Sequence, residues 1–289
     1  AHCSHMINLS RTLTKTLLRQ VKLLQQQATK PRLRAPLITG FWGQGGKIPS
    51  RTVADRICAA FPNFNSSDEE DSSSQLKHIL TEHVEPFINP NTLDQDVDDF
   101  KVLRQTLLSI LRSRVLPPSR STLDEWIEQG FDAYRAMRNQ QDYWLGSSIS
   151  QTNGLYVDVT SSFHGYRSDT SMFAYSVYIE NQSEHTLQIL GRKWKIMNLN
   201  TPNSIIEVNQ LEQGIVGKQP KLQPGEAFYY VSGTELESGS DGIMSGELFV
   251  RKYPTEKDLL ENEDAMEEHF LFDISPFNLV APDESRAES

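Results

Sequence analysis

Cysteine is nearly missing from this chain of 289 residues: Cys3 and Cys58 are the only two, and they form no CxxC pair. That excludes a repeated disulfide framework, gives no support to a structural zinc site, and points to a reducing compartment. Long apolar runs are lacking too. None approaches the ~20 residues of a membrane-spanning helix, so a soluble or peripheral chain is expected, with no transmembrane segment. Acidic residues are absent from the whole start of the chain. The first is Asp55, and nine Lys or Arg residues precede it; with a net charge of −10, the remainder carries about −19. A body so acidic is not expected to bind nucleic acid. No nucleophile with an adjacent base, metal cluster or pair of cleft acids has convincing spacing, so no enzyme activity, cofactor or metal is expected.

What is present falls into two halves, and the length suits two ordinary domains. Residues 1–6, AHCSHM, read as a tag remnant rather than as fold. From Ile7, apolar residues recur at helical spacing (Leu9, Leu13, Leu17, Val21, Leu24) opposite a basic stripe of Arg11, Lys15, Arg19 and Lys22. Three readings fit: a first helix packing on its neighbours, an organelle-targeting presequence, or a membrane-surface helix. Localisation is accordingly cytoplasmic or mitochondrial. Leu17-Leu18-Arg19 resembles the Leu-Tyr-Arg signature of small helical mitochondrial assembly factors, with leucine in place of tyrosine.

Lys30 to Ser50 is rich in proline and glycine and reads as a connection. Its Gly46-Lys47 pair fails as a phosphate loop, because Phe41 stands at the required glycine and Ile48 at the magnesium-binding Ser or Thr. Helical spacing resumes at Val53, Ile57, Ala60 and Phe61. Residues 64–75 then form an acidic, serine-rich loop with too little apolar surface to fold. Further helical patterns begin at Leu76, run from Val97 to Leu111, and run from Leu123 to Met137 with Ser121 as a candidate cap. Asp94, Asp96 and Asp98 begin like a calcium loop, but Asp99 and Gln105 break the pattern, which leaves acids favouring a helix N-terminus. His78 and His83 are five apart, off one helical face, and make no metal pair. Residues 7–145 thus read as an all-α domain, and the Ser/Thr/Asn-rich stretch 146–154 as a linker.

From Leu155 the apolar period becomes two. A strand is expected over Tyr156–Phe163, then one with Phe173, Tyr175, Val177 and Ile179 on a single face. The next changes phase, with Leu187, Ile189 and Gly191 on one parity and Trp194 and Ile196 on the other. A β-bulge near Gly191-Arg192 reconciles them. Strands at 204–209, 226–232, 242–252 and 268–275 bring the total to about seven, the pattern of a β-sandwich. Pro254 to Glu268 is an acidic insertion with a short helix on Leu259, Leu260 and Met266, and 283–289 reads as a disordered tail.

The densest set of backbone demands lies between Leu211 and Gly233. Gly214 and Gly217 bracket Ile215-Val216, Gln219-Pro220 follows, and Pro224-Gly225 makes a tight turn before a strand. Arg192-Lys193-Trp194, Gly214 to Pro220, Pro224-Gly225-Glu226, Tyr230 to Gly233, Gly242 to Gly246 and Phe272 to Phe277 together resemble the ordered motifs of the ApaG domain family. The resemblance covers roughly Leu155 to Val280. It implies an immunoglobulin-like or fibronectin-III-like sandwich over 155–282, used in eukaryotes as a partner-binding appendage. It also makes Arg192, Trp194, Gly214, Gly217, Lys218, Gln219 and Pro220 the candidate partner- or ligand-binding residues.

Some ApaG domains carry a Gly-x-Gly-x-x-Gly loop suspected of holding nucleotide phosphates. Here Glu212 replaces the first glycine, and a carboxylate at that mouth repels phosphate. The expectation is therefore a non-enzymatic adaptor or subunit with protein partners. Phosphate-ligand binding or hydrolysis at the Gly214–Gly217 loop, and a mitochondrial complex subunit or assembly factor, are the alternatives.

Overall fold

Alternation along Thr170–Asn181 places Phe173, Tyr175, Val177 and Ile179 on one face, and all four are buried. This strand is the centre of a five-stranded antiparallel sheet. The structure is a computed structural model that describes residues 98–113, 120–201, 204–262 and 266–281, with shorter stretches within 12–24 and 43–49, at 33–34, and at 56 and 264. The strands are β1 (Gly45–Pro49), β2 (Ser147–Thr152), β3 (Leu155–Arg167), β4 (Thr170–Asn181), β5 (Leu187–Asn198), β6 (Ile205–Gln210), β7 (Lys221–Leu222), β8 (Glu226–Glu237), β9 (Gly242–Lys252) and β10 (Glu268–Leu279). The helices are α1 (Asp99–Ser113), α2 (Arg120–Leu145) and α3 (Glu256–Glu261), besides helical residues at 15–24. The chain divides into two compact units, one of 1–36 with 51–142, the other of 37–50 with 143–289.

The second unit is a β-sandwich. One sheet has the order β1-β8-β4-β3-β2 and the other β10-β9-β5-β6, with β7 pairing β5. Their inner faces share one core, to which β3 supplies Leu155, Val157 and Val159, β8 supplies Phe228 and Tyr230, β9 supplies Leu248 and Val250, and β10 supplies Phe272 and Phe277. Each large side chain buried there stabilises the fold by about 1.5–3 kcal/mol. The phase change in β5 is a register shift between Ile189 and Gly191, which turns Trp194 and Ile196 back to the core as expected.

Two expectations fail at the sheet edges. Residues 146–154 are not a linker: they contain β2 and the turn to β3, with Asn153 (φ 49°) and Gly154 (φ 72°) as the two-residue hairpin connection. Nor is all of 30–50 a connection, because β1 pairs antiparallel with β8. One seam of the sandwich is closed by β10 against β2 and β3. Ser150 Oγ accepts the Ser275 N–H at 2.7 Å, and Ser161 Oγ donates to the Asn278 carbonyl at 2.7 Å. The acidic insertion does hold α3, started by a reciprocal capping box between Thr255 and Asp258, but Leu259, Leu260 and Met266 are exposed rather than packed.

In the first unit, residues 15–24 are helical, with Leu17, Val21 and Leu24 buried, as Leu13 is, and Lys15, Arg19 and Lys22 exposed. The apolar stripe is thus used for packing. Asp98 caps α1 by accepting the N–H groups of Phe100 and Lys101, both at 3.0 Å, so the acid there serves a helix start. Asp99 is buried and takes the Arg56 guanidinium at 2.8 Å and the Leu33 N–H at 3.0 Å. Gln140 of α2 holds the backbone of Arg34 from both sides, at 2.8 and 2.9 Å. Helix α2 is described from Arg120 onward, and Ser121 is among its helical residues. Residues 1–6, the loop 64–75, the helical pattern from Leu76, His78 and His83, and the tail 283–289 lie outside the described residues. Among the described residues, no helix is long and apolar enough to cross a membrane.

Candidate recognition loop of the sandwich

The loop between β6 and β7 owes its shape to its glycines and to one unusual valine. Ile215 and Lys218 exchange both backbone hydrogen bonds, at 2.7 and 3.0 Å, around Val216 (φ 45°) and Gly217 (φ 74°). Two consecutive positive φ values in a two-residue connection define a type I′ turn. Valine is a poor occupant of such a position, because its branched Cβ crowds the backbone there. Gly214 has φ 77°, and a Cβ on it would meet the Lys218 carbonyl oxygen at 2.3 Å. Only glycine fits.

The rest of the chain holds this turn on three sides. The Gly214 N–H donates to the Leu190 carbonyl at 2.8 Å, at the bulge of β5, and the Ile189 N–H donates to the Pro220 carbonyl at 3.0 Å. Gln219 Nε2 donates to the carbonyls of Leu190 and Glu212, at 3.1 and 2.9 Å. Arg192 Nη1 donates to the Gly214 carbonyl at 3.3 Å, and Lys218 Nζ donates to the Gly45 carbonyl of β1. Ile215 is fully buried, so the turn is pinned into the core as well. Gly191 is where the loop passes closest to β5: a Cβ there would lie 2.1 Å from the Gln210 carbonyl oxygen.

The candidate residues therefore do different things. Gly217, Lys218 and Gln219 are exposed, whereas Gly214 and Pro220 are buried and Arg192 is half-buried. Trp194 is only 1% exposed. Its ring packs edge-on against Tyr175 and Phe277, at centroid distances of 5.6 and 6.0 Å, so it is a core residue and presents no surface to a protein partner. Arg192 clamps the loop. Sequence reasoning missed β1, whose Lys47 bonds Glu226 at 2.7 Å and whose Gly45 carries the Lys218 contact. Two glycines, a lysine and a proline around one isoleucine gave it no alternation to detect.

Behind the loop the core is polar in part. Arg192 shares the inward parity of Trp194 on β5, and Tyr175 and Tyr230 are diagonal neighbours on β4 and β8. Burial is the main influence on both phenols and pushes them up, with the Arg192 guanidinium opposing it, so both remain protonated donors.

An antiparallel sandwich whose loops are locked by backbone bonds defines a small all-β module with a rigid presented turn. Residues 163–252 match the family model of the ApaG domain. The protein ApaG of Beijerinckia indica is 43% identical over 99 residues, covering 33% of this chain and 72% of that protein. That of Anaeromyxobacter sp. strain K is 34% identical over 137 residues, covering 47% of this chain and 96% of that protein. That of Vibrio vulnificus is 32% identical over 111 residues, covering 38% and 75%. This chain belongs to the ApaG family through its C-terminal part.

Proposed function

We propose that the chain is a non-enzymatic interaction protein, an adaptor or a subunit of a larger assembly, whose ApaG sandwich recognises a protein partner. The observation that carries this reading is the state of the 211–220 loop: its shape is fixed by bonds to β5 and β1, while Gly217, Lys218 and Gln219 stay exposed. A surface already ordered before binding loses little entropy on association. The same bonds argue against the loop as a phosphate cradle, because the Gly214, Ile215 and Lys218 N–H groups are spent on protein carbonyls and Glu212 sits exposed at its mouth. The N-terminal helical domain supplies a second surface, on which, among the described residues, Lys15, Arg19 and Lys22 of its first helix are exposed to a partner.

The test is site-specific photo-crosslinking in extract of the source cell, with the full chain carrying the reactive side chain at Gln213 beside the turn or at Lys257 on α3. The expected result is one protein adduct in high yield from Gln213 and not from Lys257. An identical, diffuse pattern from both positions overturns the assignment of this loop as the recognition surface.

A further inference from the structure

Three buried hydrogen-bond donors behind the loop have no acceptor among the described residues: Arg192 Nε, Trp194 Nε1 and Tyr230 Oη. Arg192 and Trp194 sit two apart on the inward face of β5, beyond the bulge. Tyr230, on β8 of the opposite sheet, belongs to the same core cluster as Trp194, lies within reach of the Arg192 charge, and sits directly beside Gly45 of β1, at the seam that the loop closes. The edge-on contact of Trp194 with Tyr175 ties the indole to the same cluster, and the benzo edge of the indole is turned to Gly246 of β9, leaving its N–H free of that strand. Trp194 and Tyr230 are 1% and 0% exposed, so bulk water does not satisfy them.

The chemistry of the set is one-sided. A guanidinium Nε and an indole Nε1 only donate, and a phenol kept protonated by burial donates readily. No carboxylate pairs with Arg192 among the described residues, and its Nη1 is held by the Gly214 carbonyl at 3.3 Å, which fixes the direction of the guanidinium fork. A water accepts two hydrogen bonds at most and brings no charge to match the guanidinium. An oxyanion accepts a hydrogen bond from each of the three and matches the charge. We propose that the seam between β1 and the 211–220 loop binds a small oxyanion, a phosphate or a carboxylate group, on Arg192, Trp194 and Tyr230. The site goes beyond the interaction reading and differs from a backbone cradle: the donors are side chains inside the sandwich, and the loop covers them.

The indole N–H signals of the full-length, 15N-labelled chain provide the test, since there are four tryptophans and Trp194→Phe identifies the signal in question. Inorganic phosphate is titrated against sodium chloride of equal ionic strength, with acetate as a separate arm. The expected result is saturable movement of the Trp194 signal by phosphate or by acetate at millimolar concentration or below, and the responding arm tells which group the site takes. Tyr230→Phe, which removes one donor and no ring, should weaken the response about tenfold while the Gly214 amide signal stays in place. A Trp194 signal unmoved by either anion up to about 50 mM overturns the proposal. So does a Tyr230→Phe chain that titrates like the parent, because the anion then binds elsewhere.

Discussion

Lys218 donates its ammonium to the carbonyl of Gly45, joining a loop residue to a strand residue 173 positions earlier. The contact closes one seam of the sandwich, as Ser150 with Ser275 closes the other. Gly45 is crowded from the same side. A Cβ on it would lie 2.6 Å from the Phe228 ring and 2.8 Å from the Val216 side chain, while neighbouring Gly46 has nothing within 4 Å. Gly45→Ala should therefore destabilise the protein by about 1–3 kcal/mol through overpacking, and Gly46→Ala should stay within about 0.5 kcal/mol of the parent. Urea unfolding of the two variants measures this directly. Equal midpoints mean that β1 is not seated against the loop as described.

The turn itself separates two kinds of positive φ. Gly214→Ala adds a methyl group against the Lys218 backbone and should cost about 2 kcal/mol or more. Val216→Asn is different, because asparagine suits the first position of a type I′ turn, which offsets the loss of a half-buried valine packed on the core. Its net effect should lie within about 1 kcal/mol of zero. Thermal melts of both variants, run side by side, decide it. A Val216→Asn variant as damaged as Gly214→Ala indicates that valine packing, not turn geometry, holds the loop.

The strands whose large apolar side chains recur at every second residue were legible in the sequence, although the outer face of the sheet that holds β4 also buries Tyr156, Tyr178 and Ala227. Phe173 to Ile179 and Phe228 to Tyr230 alternate as the structure has them, and the parity switch between Ile189 and Trp194 located the bulge. That same parity already put Trp194 inward with Ile196, although the residue also read as a partner contact. The β2 hairpin was missed for a different reason: Ser147–Thr152 has one apolar residue, Ile149, so its period is invisible, and the surrounding polar residues read as a linker. The signal that finds it is the Asn153-Gly154 pair, the residues a type I′ connection asks for. Strand β1 carries no such signal. It owes its place to a partner far along the chain, which no local pattern encodes.

Acid should loosen β1. Glu226 is held below its ordinary carboxylate value first by the hydrogen bond from Lys47 and then by that from the Gln223 N–H. A lowered folded-state pKa means the contribution is fully present above the unfolded value of 4.5 and is lost as pH falls through the folded value. The pair is exposed, so salt should weaken it too. Amide protection of those β1 residues whose N–H groups point to β8 should fall on acidification from about pH 5 to 3, after correction for intrinsic exchange. In Glu226→Gln it should be low throughout that range. Protection that is flat in the parent and equal in the variant removes the pair from the account of how β1 is held.

Trp194 and Gly246 form a matched set across β5 and β9. The two are paired in register, and a Cβ on Gly246 would meet the indole at 2.4 Å, so the flat space above that strand is filled by the ring. Trp194→Ala should cost about 3–5 kcal/mol, the range for deleting a buried aromatic. Gly246→Ala should also destabilise, but part of its cost comes from the indole and disappears when the ring is smaller; the remainder comes from the Lys193 carbonyl oxygen, also 2.4 Å from that Cβ. In a double-mutant cycle with Trp194→Phe, the two changes should fall short of additivity by about 0.5 kcal/mol or more. Strict additivity sinks the steric pairing. A cycle that shows the coupling while partner capture by Trp194→Phe stays intact assigns the residue to the core, and leaves recognition to the exposed turn at Gly217, Lys218 and Gln219.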